Sequence, residues 1–205
     1  MIVIGVTGSL ASGKTEVAAV FKKLGARIFD ADRVARRLIR SGSVLNESIG
    51  MLFGKEYLKT DGQINRKKLA DHVFRSPKEL RKLNTLIHPD VMMSALEVIR
   101  RSKEQRGRVL VLDVPLLFES RMDGLAGTTV LVKSTTPRMI ERARKKGIGA
   151  SMAKKILSCQ WPNSRKEPLA DIVITNNGSL RDLRRRAKEV FFEIIWRCGI
   201  KHLTL

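Results

Sequence analysis

The chain has 205 residues, 43% of them hydrophobic, with 40 lysines and arginines against 20 aspartates and glutamates, for a formal net charge of +20. A chain of this length buries about 70% of the surface its unfolded form exposes, so a fold needing neither disulfide nor structural metal is expected. No apolar run reaches membrane-span length, the charge favours polyanionic partners without choosing among them, and 5% aromatic residues argue against a base-stacking single-strand binder.

Residues 2–6 are continuously apolar and stop at Thr7-Gly8, which suits a buried central strand. This start lacks the basic flank and cleavage site of a signal peptide, so the expected location is the cytoplasm. Val17, Val20, Phe21 and Leu24 then recur at helical spacing, with Gly25 as the stop. Residues 27–29 form a short second strand that ends in Asp30-Ala31-Asp32, and a helix carrying Val34, Leu38 and Ile39 follows.

From about 49 to 102 the character changes. Thr60-Asp61-Gly62 is a turn signal, and Asn65 can cap a helix bearing Leu69 and Val73. Ser76-Pro77-Lys78-Glu79 combines a capping box with proline at the first helical position. Leu80, Leu83, Leu86 and Ile87 line that helix, His88-Pro89 is expected to end it, and a separate helix carries Val91, Met92, Ala95 and Ile99. With no linker on either side, the stretch reads as a helical insertion within one domain.

Residues 108–113 and 129–133 are the next strands. Thr136-Pro137 starts a helix that runs into basic residues 142–146, and a second basic helix leads to Gln160-Trp161-Pro162. Residues 171–175 complete the strands, and Ser179 caps a long final helix with Leu183, Val190, Ile194 and Ile195 on one face. Strands alternating with helices predict an α/β fold in three layers around a five-stranded parallel sheet. Cys159 and Cys198 lack any paired-cysteine motif and read as reduced thiols, and His72, His88 and His202 have no metal-ligand spacing.

The chemistry begins at Gly8-Ser9-Leu10-Ala11-Ser12-Gly13-Lys14-Thr15, which fits the phosphate-loop pattern G-x-x-x-x-G-K-[ST] in full. Glycines let backbone N–H groups face phosphate oxygens at the positive end of the following helix. Lys14 can reach the β- and γ-phosphates, and the Thr15 hydroxyl can ligate Mg²⁺. Asp30 and Asp32 lie past the carboxyl end of the second strand, where such folds bind ligands and where a carboxylate can deprotonate an attacking hydroxyl. Asp113, ending the third strand, occupies a Walker-B position and is a candidate magnesium partner through water. A regulatory GTPase is set aside, because no guanine-reading Asn-Lys-x-Asp is present. A nucleic-acid-dependent ATPase fits the small chain poorly. Physics alone leaves open a nucleoside or nucleotide kinase of the same architecture.

Several motifs occur in order: Asp30-Ala31-Asp32, Asp61-Gly62 with Arg66 and Leu69, His88-Pro89, Pro115-Leu116-Leu117-Phe118-Glu119, Gln160 with Pro162, Lys166 and Ala170-Asp171, and Asn176 with Gly178-Ser179. As a set they resemble the dephospho-CoA kinase family, over residues 2 to about 183. The resemblance implies a P-loop NTPase fold with a core of about 1–48, 106–138 and 168–205, a helical acceptor-binding insertion of about 49–105, and a helical lid of about 139–167. It implies transfer of the ATP γ-phosphoryl group, with Mg²⁺, to the ribose 3′-hydroxyl of dephospho-CoA. Gly8, Ala11, Ser12, Gly13, Lys14, Thr15, Glu16, Lys146 and Asn176 would hold ATP, with Lys14 and Arg142 acting on the phosphates. Asp32 would be the base, and Arg66, His88 and Leu116 would meet the acceptor. The expected partners are these two small molecules, with no specific nucleic acid, in a monomer or weak homo-oligomer. Three residues depart from the family pattern: Ala11 replaces a usual glycine, Glu16 follows Thr15 where a hydroxyl residue is usual, and Lys146 replaces a usual arginine. Two readings of Trp161 stand at this stage, stacking on adenine or filling the core. His88 is likewise open, as a substrate contact or as a capping or packing residue.

Overall fold

A computed structural model describes residues 1–105 and 108–199, so His202 and the ends of the expected core and insertion segments at 106, 107 and 200–205 lie outside the described residues. The chain divides into two compact units, Met1–Asp30 with Ala95–Leu205, and Ala31–Ser94. The second unit therefore opens at Ala31, ahead of position 49.

The first unit is built on five parallel strands, β1 (Ile2–Thr7), β2 (Arg27–Asp30), β3 (Val109–Asp113), β4 (Thr128–Lys133) and β5 (Ile172–Thr175), in the order β2-β3-β1-β4-β5. β1 is flanked by β3 and β4, the reversal point of the strand order, where open α/β sheets bind ligands beyond the carboxyl ends of their strands. The sheet is apolar on both faces, as parallel sheets require. Ile4, Val6, Val111, Val130 and Ile174 pack with Val17 and Phe21 of α1 (Lys14–Lys23) and with Leu183, Val190, Phe191 and Ile194 of α9 (Leu180–Arg197). The Phe21 and Phe191 rings sit 5.2 Å apart at a tilt of 53°. Residues of opposite parity, Leu110, Leu112 and Leu131, are buried on the other face, where a Cβ at Gly5 would stand 2.9 Å from Leu117.

Helix starts follow local chemistry. Ser179 and Asp182 form a reciprocal capping box on α9, and the Ser179 hydroxyl and backbone N–H hold the Asp182 carboxyl below its ordinary pKa. α6 (Thr136–Lys145) begins with Pro137 in its first turn, and α7 (Ala150–Cys159) ends one residue before Gln160. A single-turn α8 (Asn163–Lys166) follows. Cys159 and Cys198 are both free thiols.

The second unit contains α2 (Ala31–Leu38), α3 (Val44–Phe53), α4 (Arg66–Val73) and the first part of α5 (Pro77–Glu104). Asn65 caps α4 by accepting from Lys68 N–H at 3.1 Å. The expected turn at residues 60–62 closes with Gly62 at φ +76° and an antiparallel bridge between Leu58 and Ile64. Ile49, Ile64, Leu69 and Val73 form this unit's core, backed by Leu80, Leu83, Leu86 and Ile87. His72 lies against Phe53 and Tyr57, with ring centroids 6.0 and 5.2 Å away.

Two readings of the sequence are corrected here. His88-Pro89 does not end a helix, because α5 runs unbroken from Pro77 to Glu104 with Pro89 inside it. The ring removes only the hydrogen bond to the Thr85 carbonyl, and the packed leucines before it keep the axis continuous. α3 was not anticipated, although Ser43 caps it and Leu45, Ile49 and Phe53 share its inner face; the exposed Val44 and Met51 blur that spacing.

Replacing Pro89 with alanine restores the missing donor and relieves the ring clash. Pro89→Ala is expected to raise the unfolding free energy by about 1–3 kcal/mol, read from urea denaturation. An unchanged midpoint would mean that the helix has absorbed the proline at no cost.

Candidate active site

β1 stops at Thr7, and the chain wraps through Gly8–Gly13 before α1 begins at Lys14. Gly8 has no room for a side chain, because a Cβ there would lie 2.5 Å from both Ser12 Oγ and the Val132 carbonyl oxygen. Gly13 caps α1 at φ +110°, and its missing Cβ leaves space for the Asn176 amide. Ala11 adopts φ +55°, a left-handed conformation that suits glycine better than a residue with a Cβ.

Partners from distant parts of the chain fix the loop. Ser12 N–H donates to the Ser9 carbonyl at 3.0 Å, Asn176 Nδ2 donates to the Ser12 carbonyl at 2.7 Å, and Leu10 N–H donates to Gln160 Oε1 at 2.9 Å. The Ser12 hydroxyl is buried with no hydrogen-bond partner among the described residues. The loop thus sets a buried, unspent hydroxyl beside the N-terminus of α1, the end of a helix that favours anions.

Lys14 forms an ion pair with Asp113, and the two side chains are only 11% and 7% exposed. The strand register makes this meeting possible, because β3 places Asp113 opposite Val6 of β1 and opposite Asp30 of β2. Thr15 is exposed as the second residue of α1. Glu16, the unusual acid at the helix start, accepts from Arg184 Nε of α9 at 2.6 Å, so its added charge is matched. It also sits in the first turn, where a negative charge is favourable to the helix.

Beside the loop lies a cavity of about 430 Å³ whose lining includes Ala11, Gly13, Arg138, Arg142, Lys146 and Asn176. Arg142 donates to the Ser134 hydroxyl at 3.2 Å and to the Asn176 backbone and side-chain oxygens at 3.1 and 3.2 Å. Glu141 bonds Lys145 at 2.8 Å, and that cation holds its carboxyl below the ordinary range. Lys146, at the end of α6, is exposed. Leu116 is half-buried in the turn after β3, its carbonyl accepting from Ser120 N–H at 2.9 Å. The Trp161 ring lies under the Arg165 guanidinium, 3.6 Å from the ring centroid, and its backbone N–H donates to Glu119 Oε1 at 3.1 Å.

Asp32, Arg66 and His88 belong to the second unit. Asp32 is an exposed acid in the first turn of α2. Arg66 starts α4, donates to the Arg36 carbonyl at 3.2 Å, and lines a cavity of about 320 Å³ with Ile39, Arg40, Ser41, Gln63 and Ile64. His88 is half-buried in α5, directly before Pro89. The phosphate loop, Asp113, Arg142, Lys146 and Asn176 are thus gathered in one unit, and Asp32, Arg66 and His88 are carried by the other.

Sequence reasoning missed Arg184 as the partner of Glu16 and Gln160 as the acceptor for Leu10. Contacts 168 and 150 residues apart leave no local pattern to read. Arg138 and Lys145 also line the cavity and carry the expected basic character of α6. Among the described residues, no three of His, Cys, Asp or Glu cluster as a metal-ligand set. The Thr15 hydroxyl and the Asp113 carboxylate are nevertheless hard oxygen donors of the kind Mg²⁺ accepts alongside phosphate.

Ala11→Gly removes the left-handed strain and keeps every loop hydrogen bond. A net gain of up to about 1 kcal/mol in unfolding free energy is expected, the glycine's extra freedom in the unfolded chain offsetting the rest. A loss of stability on denaturant titration would show that Ala11 is not strained.

Comparison with known proteins agrees with this geometry. A sequence model described as dephospho-CoA kinase matches residues 2–182. The dephospho-CoA kinase of Geobacillus kaustophilus is 36% identical over 189 residues, covering 90% of this chain and 92% of that one. A crystal structure from Thermus thermophilus aligns with a TM-score of 0.76 at 31% identity, over 94% of this chain and 97% of that one. The dephospho-CoA kinase from Campylobacter jejuni aligns at 0.67 and 25% identity, over 94% and 96%. A phosphate loop on this five-stranded order, matched along nearly the whole chain, leads to one assignment: the chain belongs to the dephospho-CoA kinase family.

Proposed function

We propose that this enzyme moves the γ-phosphoryl group of ATP to the ribose 3′-hydroxyl of dephospho-CoA, giving coenzyme A and ADP, with its residues dividing the work as follows. The observation that carries the reading is the phosphate loop itself, whose curled backbone, buried Ser12 hydroxyl and Lys14 beside Asp113 fit a polyphosphate, in a chain whose family is dephospho-CoA kinase.

The loop N–H groups and Lys14 take the β- and γ-phosphates. Asp32 is the base: the 3′-oxygen attacks the γ-phosphorus, its proton passes to the Asp32 carboxylate, and the bond from that phosphorus to the β–γ bridging oxygen breaks. Arg142 and Lys146, both lining the cavity beside the loop, stabilise the charge on the transferring group. Lys146 supplies a point charge where an arginine would supply a planar fork. Mg²⁺, held by the Thr15 hydroxyl with Asp113, would neutralise phosphate charge when bound. Arg66 and His88 belong to the acceptor's binding surface, together with Leu116. Residues 139–167 act as a lid that keeps water from the phosphoryl group, and residues 49–105 as the acceptor-binding insertion.

We place the activity in the cytoplasm, in a monomer or weak homo-oligomer. No helix among the described residues is long and apolar enough to cross a membrane.

Three measurements test this. ATP, Mg²⁺ and dephospho-CoA should yield coenzyme A and ADP, whereas nucleoside acceptors should not; turnover of a nucleoside with no coenzyme A formed would sink the assignment. Asp32→Asn should lower kcat by about 10²–10⁴ with both substrates still bound, and near-normal kcat would remove Asp32 as the base. Chelation with EDTA should abolish turnover and excess Mg²⁺ restore it, while full activity in EDTA would end the magnesium role.

A further inference from the structure

Among the described residues, the most deeply buried charge belongs to none of the proposed reacting groups. Lys166 is wholly buried, and its ammonium pairs with Glu119 Oε1 at 2.8 Å. The same oxygen accepts the Trp161 backbone N–H, while Glu119 Oε2 is buried with no hydrogen-bond partner among the described residues. Lys166 Nζ also approaches the Pro115 carbonyl at 3.5 Å, and that carbonyl accepts from the Thr7 hydroxyl at 3.1 Å. Thr7 is the last residue before the phosphate loop. At the other end of the same segment, Gln160 Oε1 accepts Leu10 N–H from within the loop. In the middle, Asn163 Nδ2 donates to the Ser134 carbonyl at 3.3 Å, and the Ser134 hydroxyl donates to the Asn176 carbonyl at 2.7 Å. Asn176 in turn holds the Ser12 carbonyl.

Residues 160–166 therefore form a strap tied to the loop along three routes: directly at Leu10, through Pro115 at Thr7, and through Ser134 and Asn176 at Ser12. A buried lysine–glutamate pair is a poor device for stability alone, since an apolar pair of like volume is commonly as stable or more so. Its distinctive property is direction. Hydrogen bonds of fixed length and angle locate the strap in a way that apolar contacts do not.

We infer that this strap is a positioning device for the phosphate loop, with Gln160 the positioning residue and the Glu119–Lys166 pair its anchor. It joins the end of α7 to the loop, so residues 160–166 are the fixed base of the lid, held in one piece with the phosphate-binding backbone. The inference rests on the loop being a nucleotide site and is independent of which acceptor is phosphorylated.

ADP binding by calorimetry is the probe, with dephospho-CoA binding and thermal melting measured in parallel. Gln160→Ala leaves Leu10 N–H without its acceptor, and ADP affinity should fall about five- to tenfold. Binding of dephospho-CoA should stay within about twofold of the parent, and melting should shift by no more than about 4 °C. The neutral double variant Glu119→Gln with Lys166→Met should melt at or above the parent temperature yet show a comparable loss of ADP affinity. ADP affinity within about twofold of the parent in both proteins overturns the inference, as does an equal loss for ADP and dephospho-CoA, which would mean general loosening. Should the double variant not fold, Gln160→Ala decides alone. A parent protein that fails to bind ADP would instead overturn the nucleotide reading, and the strap with it.

Discussion

The first unit is organised around one electrostatic constraint: Lys14, nearly buried at the start of α1 just beyond the carboxyl end of β1, needs a counter-charge. Its ammonium belongs to the first residue of α1, at the positive end of the helix, which adds to the cost of burying it. The Lys14–Asp113 pair offsets that cost. A lysine only 11% exposed cannot rely on water for its counter-charge, so a carboxylate at the end of the neighbouring strand supplies it. The strand order follows from the same need. Inserting β3 between β1 and β2 brings Asp113 beside the loop and aligns it with Asp30 across the next ladder.

Steric constraints reinforce the electrostatic one. The loop needs glycine at position 8 because a backbone carbonyl and the Ser12 hydroxyl occupy the space of a side chain, and at position 13 because the Asn176 amide does. Ala11 shows how much departure is tolerated. Its left-handed backbone costs on the order of 1 kcal/mol, a small part of the stability of a domain this size, and Ala11 lines the cavity beside the loop. Glu16 shows the same tolerance in charge, since Arg184 cancels in three dimensions what the sequence introduces in one.

The parts of this fold that were legible in the sequence are those whose causes are local. The five strands are short apolar runs between turn residues, and α4 and α9 announce themselves through Asn65 and the Ser179–Asp182 box. The phosphate loop is legible because its mechanism dictates residue types at fixed spacing. What was illegible depends on tertiary packing. Pro89 carries a strong local stop signal, yet a long packed stripe of leucines overrides it and α5 continues. In α3 the stripe of Leu45, Ile49 and Phe53 is blurred by Val44 and Met51, two large apolar residues that face outward. Gln160 and Lys166 were recognisable as members of a family pattern, but their tasks became visible only once Leu10 and Glu119 were found beside them.

The large net charge takes on a definite meaning when its placement is considered. α9 carries six basic residues against Asp182, Glu189 and Glu193; Arg185 and Arg186 share Glu189, Arg197 pairs with Glu193, and Arg184 reaches Glu16 of α1. Exposed pairs of this kind add little stability, and a net positive charge remains on the helix. The cavity beside the loop carries a similar excess, but on a concave surface. Arg138, Arg142, Lys145 and Lys146 face only Glu16 and Glu141, and those two acids already hold Arg184 and Lys145. Within such a concave surface the field is focused and raises the local concentration of anions.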